Sequence, residues 1–349
     1  MTTAPSELEE LRTSLRKALR TPAPGVAPSL DPHWRTSWPT LAALGLASLC
    51  IAEESGGFGL HVPAAAMAAT ELGGVLHAGP FAACTAAGLV LDRAIGAESK
   101  AAVVKSVASG AAVATLAVLD RGTISVDGDR VNIDGTASLL VAGDTVDWFV
   151  VVSPDLCSLA LARRDDCQLA ASAHTFDVTR SFVDARFDAT PAAAISCDVA
   201  VVRLALVVRD LLVAADALGG VQRSLERTVR YAGERVAFGR AIGGFQAVQH
   251  RLVDHTLRVR SLSLLVDAAA ADLGATGDEH RALLAQAAVA RHAVHVLHDL
   301  LQLTGGIGFT WEHGLHLYER RAHLDARLTR NPRRALLALA DAEGWVVRS

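Results

Sequence analysis

The order of segments along this 349-residue chain, helical then strand-like then helical, predicts a mainly α protein with a central β domain. Three observations carry that expectation. Leucines recur at spacings of three and four near the start, short β-branched runs fill the middle, and long apolar stripes of helical period return towards the end. With 51% apolar residues the chain can bury a large core, and its length suits two or three lobes. The expected boundaries are a helical domain over 1–108, a β domain over 109–195 and a four-helix bundle over 196–349.

The first helix is expected from Ser6, with Glu9 placed as in a capping box and Leu8, Leu11, Leu15 and Leu19 forming one buried face. A Pro-rich loop runs from Thr21 to Pro32, and a second helix is expected over Trp38–Leu49. Gly56, Gly57 and Gly59 then break the pattern before small apolar residues resume over Ala64–Gly74. In the middle, "ATLAVL", "TISVDG", "RVNIDG", "DWFVVV" and "LCSLALA" read as short strands of a small antiparallel domain. Asp127-Gly128 and Asp134-Gly135 are hairpin signals between them.

Beyond Ser196 three stripes follow: Leu204 to Leu218, Val248 to Val266, and Leu283 to Leu301. With a final helix after Trp311 they fit an antiparallel four-helix bundle. No alternating βα pattern supports a doubly wound nucleotide fold.

Composition excludes several functions. A net charge of -4 with interspersed signs offers no basic stripe for nucleic acid, and aromatic residues are too scarce for a stacking platform. The apolar run Leu41–Ala52 is too short to span a membrane, and the mixed-charge N-terminus is unlike a secretory signal. Five dispersed cysteines suit reduced thiols in a cytoplasm.

Two stretches could carry chemistry. In "YAGERVAFGRAIGGFQAVQHRLVD", residues 231–254, a helix ends, a glycine-containing link exposes Arg235 and Phe238, and a new helix begins near Phe245. An arginine fork suits phosphate and an aromatic face suits a planar ring, although the same residues also suit a plain surface turn. In "LQLTGGIGFTWEHGLHLYERRAHLD", residues 301–325, a helix bearing Gln302 runs into Gly305, Gly306 and Gly308. Such a link presents backbone N–H groups to an anion, or simply caps a helix. The histidines at 292, 295, 298, 313, 316 and 323 lack a Glu-x-x-His pair or cysteine partners, so no metal site is expected.

Together the two stretches resemble the acyl-CoA dehydrogenase family. "ERVAFGRAIGGFQ" is similar to its Arg-x-x-Phe-Gly signature and "QLTGGIGF" to its Gln-x-x-Gly-Gly-x-Gly-Phe segment, while "WPTLAALGL", "EESGGFGL" and "ATELGG" are similar to its N-terminal helical lobe. The resemblance implies FAD as cofactor, an acyl-CoA substrate and an electron-transfer protein as acceptor. It places Arg235, Phe238, Gln302 and Gly306 on the pyrophosphate and adenosine half of a FAD held by a neighbouring subunit, with Ile242 and Phe245 as apolar walls.

The departures point to a partner. The family's flavin-ring loop and strand are replaced by "LAVLDRGTIS" and "SLLVAGDTVD". Thr329 stands where the family has its catalytic Glu, and Arg209 stands at the alternative site. Asp210 and Asp216 are the weak candidates left for a base, each also readable as a helix-surface acid. The chain thus resembles the smaller, degenerate subunit of actinobacterial sterol side-chain enzymes, which implies an α2β2 heterotetramer with a second acyl-CoA dehydrogenase subunit. The alternatives are a self-sufficient homo-oligomer using Asp210 or Asp216, or a non-catalytic scaffold.

Overall fold

The computed structural model describes residues 5–20, 33–96, 98–127, 130–173, 175–329 and 332–345. The Pro-rich loop Thr21–Pro32, the side chain of Ser6 and Gly128 lie outside them. Helices α1 (Pro5–Ala18), α2 (Trp38–Ala43), α3 (Val62–Gly74), α4 (Phe81–Arg93) and α5 (Glu98–Ala108) form the first lobe. Leu15 is fully buried, and Leu8, Leu11 and Leu19 pack against the core beside it, as the stripe requires. Arg16 grips both carboxylate oxygens of Glu71 at 2.8 Å, which ties α1 to α3.

The second helix is shorter than its apolar pattern suggests. It ends at Ala43 because Gly45 adopts φ +85°, and a Cβ there would lie 2.6 Å from the ring of Phe58. Chain reversal and ring contact both demand glycine at this point.

The sheet is built from β1 (Ile95–Gly96), β2 (Ala114–Val118), β3 (Arg121–Asp127), β4 (Arg130–Val141), β5 (Trp148–Val152), β6 (Leu159–Arg163), β7 (Gln168–Ala171) and β8 (Phe182–Ser196). Its main path runs β2-β5-β6-β8-β4-β3, with β1 and β7 paired to β8. Pairing is antiparallel except between β2 and β5, which run parallel, so the expectation of a purely antiparallel domain is corrected. The long strand β8 had no distinct apolar alternation, since it lends residues to several neighbours in turn.

The two Asp-Gly signals behave differently. Asp127 pairs with Arg130 and closes the β3–β4 hairpin. Asp134-Gly135 makes no turn: it lies inside β4 at a bulge, where Gly135 faces Gly122. A Cβ on Gly135 would meet the Arg121 carbonyl at 2.3 Å, and one on Gly122 would meet the Asp134 carbonyl at 2.1 Å. Both glycines serve close strand approach at a bulge.

The bundle comprises α6 (Val199–Glu234), α7 (Gln246–Thr276), α8 (His280–Thr304) and α9 (Leu315–Leu328), with α10 (Pro332–Ala342) against α8. Asp198 caps α6 by accepting from the Ala200 N–H at 2.8 Å. The last bundle helix starts at Leu315 rather than just after Trp311, because Gly314 at φ +68° interrupts the chain there. Helix α3 crosses α6 through glycines: a Cβ on Gly73 would sit 2.0 Å from the Asp216 carbonyl, and one on Gly219 would sit 1.9 Å from the Thr70 carbonyl. Backbones therefore touch directly at this crossing.

A buried ion network joins the three lobes. Arg321 Nε and Nη2 donate to the two Asp216 oxygens at 2.8 and 2.7 Å, and Nη2 also reaches the His77 carbonyl at 2.9 Å. Arg180, from the β lobe, donates to Asp177 at 2.9 Å and to Asp325 at 2.6 Å. Three carboxylates thus share two guanidiniums. Burial, reinforced by the charge of Asp216, holds the Asp325 carboxyl up at about 7 against the pull of Arg180.

A raised folded pKa makes its stabilising contribution complete in acid and withdraws it as pH climbs through about 7. The stability difference between wild type and Asp325→Asn should therefore shift in favour of the variant from about pH 5 to 8, as read by urea midpoints. A difference that stays constant across that range would refute the protonated carboxyl.

Candidate functional site

Two separate features could serve function. The first is a cavity of about 290 Å³ where the three lobes meet. Leu72, Phe81, Leu116, Leu140 and Leu212 wall it, and Asp120, Arg180, Arg209, Asp216, Arg321 and Arg327 carry its charge. Of the two candidate bases, Asp216 lines this cavity and Asp210 does not. Both Asp216 oxygens accept from Arg321, an ion pair that engages the carboxylate within the chain. Asp210 is buried and receives Nε and Nη2 of Arg209 at 3.0 and 2.7 Å. Both acids are thus held in ion pairs within the chain. Thr329 is buried and turns its hydroxyl back to the Asp325 carbonyl.

The second feature lies on the outer end of the bundle. After α6 the chain makes a miniature hairpin, β9 (Val236–Ala237) and β10 (Arg240–Ala241), before α7. Phe238 and Gly239 form its tip at φ +52° and +81°, two successive left-handed residues as a type I′ turn requires. A phenylalanine in that conformation is strained, and its ring is 96% exposed. Phe245 meets it edge-on with ring centres 6.4 Å apart, and Arg240 lies 4.0 Å over the Phe245 ring. Arg235 caps α6, is exposed, and gives its side chain to no described residue.

Gln302 and Gly306 are exposed at the neighbouring end of α8, where Gly305–Phe309 forms a 3-10 turn. Nothing lies within 4 Å of a Cβ built on Gly305 or Gly306, so their backbone faces open space. Behind this turn, burial and the nearby Arg227 push the His313 imidazole down to about 4, and the Arg227 guanidinium bonds the His313 carbonyl. All six sequence-selected residues, Arg235, Phe238, Ile242, Phe245, Gln302 and Gly306, belong to this outer end. None of them lines the interlobe cavity.

The surface around them is unusually apolar. Val253, Leu257 and Leu264 stand more than half exposed along α7, and Ile307, Phe309 and Trp311 are about half exposed at the α8 end.

Comparison with known proteins decides the family. The model of the acyl-CoA dehydrogenase C-terminal domain matches residues 199–331, and that of the N-terminal domain matches 5–111. The acyl-CoA dehydrogenase IpdE2 of Mycobacterium tuberculosis is 33% identical over 302 residues, covering 86% of this chain and 84% of the relative. The chain belongs to the acyl-CoA dehydrogenase family. Members are oxidoreductases that act on the CH–CH bond of an acyl-CoA.

Among solved structures, this acyl-CoA dehydrogenase superposes on the Tcur3481-Tcur3483 steroid ACAD G363A variant with a TM-score of 0.82 and 26% identity, covering 97% of this chain and 98% of that one. The ChsE4-ChsE5 complex of M. tuberculosis gives a TM-score of 0.82 at 23% identity over 99% of both chains, a likeness of fold.

Sequence reasoning missed part of the cavity. Thr115, Arg180 and the α9 pair Arg321 and Arg327 come from three distant segments, and no local motif links them. Among the described residues no three His, Cys, Asp or Glu side chains converge as a metal would need, and no helix is long and apolar enough to cross a membrane.

Proposed function

We propose that this chain is the cofactor-clamping subunit of a heteromeric acyl-CoA dehydrogenase that introduces an α,β double bond into a CoA thioester. One observation carries the reading. The six clamp residues face outward from the bundle and share nothing with the chain's own cavity, so a cofactor they grip must be completed by another subunit.

The residues present fit the distal half of FAD. Arg235 has an unengaged fork for pyrophosphate, and the exposed Phe238 ring offers a face to adenine. Gln302 and the open backbone of Gly305 and Gly306 would supply hydrogen-bond donors, with Ile242 and Phe245 as apolar walls. When bound, FAD accepts the hydride from the β-carbon. The α-proton must go to a base, and Asp210, Asp216 and Thr329 are all engaged within this chain. Proton removal therefore falls to the partner subunit.

The apolar stripe on α7 and the α8 end is the surface on which that second acyl-CoA dehydrogenase subunit would seat, in an α2β2 assembly. Likeness to a structure described as a steroid ACAD supports a steroid-derived acyl group as substrate. A separate electron-transfer protein is the fitting acceptor, and a cytoplasmic setting suits five free cysteines.

Expressed alone, the chain should purify nearly free of FAD, whereas co-expression with its partner should give a yellow complex with one FAD per heterodimer. Absorbance of flavin against protein measures this. Stoichiometric FAD on the isolated chain would defeat the shared site.

A further inference from the structure

We infer, resting on the shared-FAD reading above, that Arg227 is a positioning residue for the cofactor. It holds the glycine turn of the clamp and keeps an unbalanced positive charge behind that turn.

Arg227 lies on α6, about two turns before Arg235. At 2% exposure it is the largest fully buried side chain among the described residues. Its Nη2 donates to the His313 carbonyl, while Nε and Nη1 are buried and donate to no described residue. No described carboxylate forms an ion pair with it, in contrast to Arg180 and Arg321, which are buried against aspartates. Its polar neighbours are Arg223, a second cation whose counter-ion Glu226 is exposed, and Tyr318, whose hydroxyl donates to the Gly74 carbonyl at 2.9 Å. Burial holds the guanidinium below its usual value, and Arg223 adds to that effect against the pull of Tyr318.

A chain of hydrogen bonds runs from this guanidinium to the turn. His313, whose carbonyl Arg227 holds, gives its N–H to Thr310 Oγ1 at 3.3 Å. Thr310 in turn gives its N–H and its hydroxyl to the Ile307 carbonyl at 3.0 and 2.9 Å. Ile307 sits between Gly306 and Gly308. Arg227 therefore fixes the link from which Gly305 and Gly306 present their open backbone.

A lone buried charge is costly, and proteins ordinarily pair it. Within this chain Arg227 has only a carbonyl, so its field is left to act on an anion arriving from outside. The pyrophosphate of FAD is the anion that the clamp brings to this end of the bundle.

Two variants test the assignment. Arg227→Met keeps a long side chain but removes the charge and its donors. In the isolated full-length chain it should leave the urea midpoint at or above the wild-type value, because a lone buried charge is lost with it. In the assembled complex it should weaken FAD retention about tenfold, the scale of one charge acting through protein at an effective dielectric constant of about 20. Arg227→Lys keeps a charge that burial can strip of its proton. Its FAD retention relative to wild type should therefore fall as pH rises from about 6 to 9, a dependence that mere space-filling does not produce. The neighbours stay constant over that range: burial and Arg227 hold His313 down at about 4, burial and Arg320 lower His316, burial raises Tyr318, and Arg223 remains charged.

Arg235→Lys is measured beside them. FAD held at wild-type strength by Arg227→Met but lost by Arg235→Lys overturns the role of Arg227 and leaves the clamp standing. FAD held by both variants overturns the clamp and the role of Arg227 together. A lowered urea midpoint for Arg227→Met, or a flat pH profile for Arg227→Lys, makes Arg227 a prop of the fold and overturns its role as well.

Discussion

Replacing Arg321 with alanine is expected to destabilise the protein by about 3–5 kcal/mol, the usual consequence of removing one partner from a buried ion pair. The side chain is 4% exposed, holds both Asp216 oxygens, and bonds Thr179 and the His77 carbonyl as well. Its loss leaves a buried carboxylate uncompensated and breaks contacts to two other lobes at once. Removing Asp216 in addition should restore part of the loss, since the orphaned charge then disappears. Arg281→Ala, which breaks an exposed pair with Asp272, should cost no more than about 1 kcal/mol. Urea unfolding of the three variants compares them directly. An Arg321→Ala protein within about 1 kcal/mol of wild type would show that the network is not what joins the lobes.

The second large effect is on cofactor retention. Arg235→Lys in the assembled complex should weaken FAD binding about tenfold or more, because a lysine cannot replace a two-pronged contact to pyrophosphate. The same exchange at Arg258 or Arg281, which lie on α7 and α8 away from the hairpin, should leave retention unchanged. Flavin released on dilution, followed by its fluorescence, distinguishes the variants. Equal affinity across all three would remove Arg235 from the clamp.

Much of this architecture was legible in the sequence because helices of the bundle declare themselves by period. Each long stripe maps to one helix, with α6, α7 and α8 all exceeding twenty residues. The residues proposed to clamp FAD could be selected for a related reason: Arg235, Phe238 and Phe245 sit within one short link, as do Gln302 and Gly306 in another. The rest depended on distance. The parallel β2–β5 pair and the path of β8 are decided by which strands meet, which local alternation does not encode. Asp134-Gly135 has turn chemistry but serves a bulge, because the glycine it needs is matched by Gly122 across the hairpin. Asp216 reads as a surface acid until Arg321, 105 residues later, is seen folded onto it.

The glycine crossing of α3 and α6 has a mechanical meaning for the cavity. With backbone against backbone, the first lobe and the bundle have no side-chain cushion between them on which to slide or part. One side of the cavity is thus a fixed jaw. The opposite side belongs to the β lobe, joined to the bundle through Arg180 to Asp325 and Thr179 to Arg321, and to the first lobe through Arg35 to Asp147. The cavity is thus walled on one side by two helices in direct backbone contact and on the other by a sheet tied to both helical lobes.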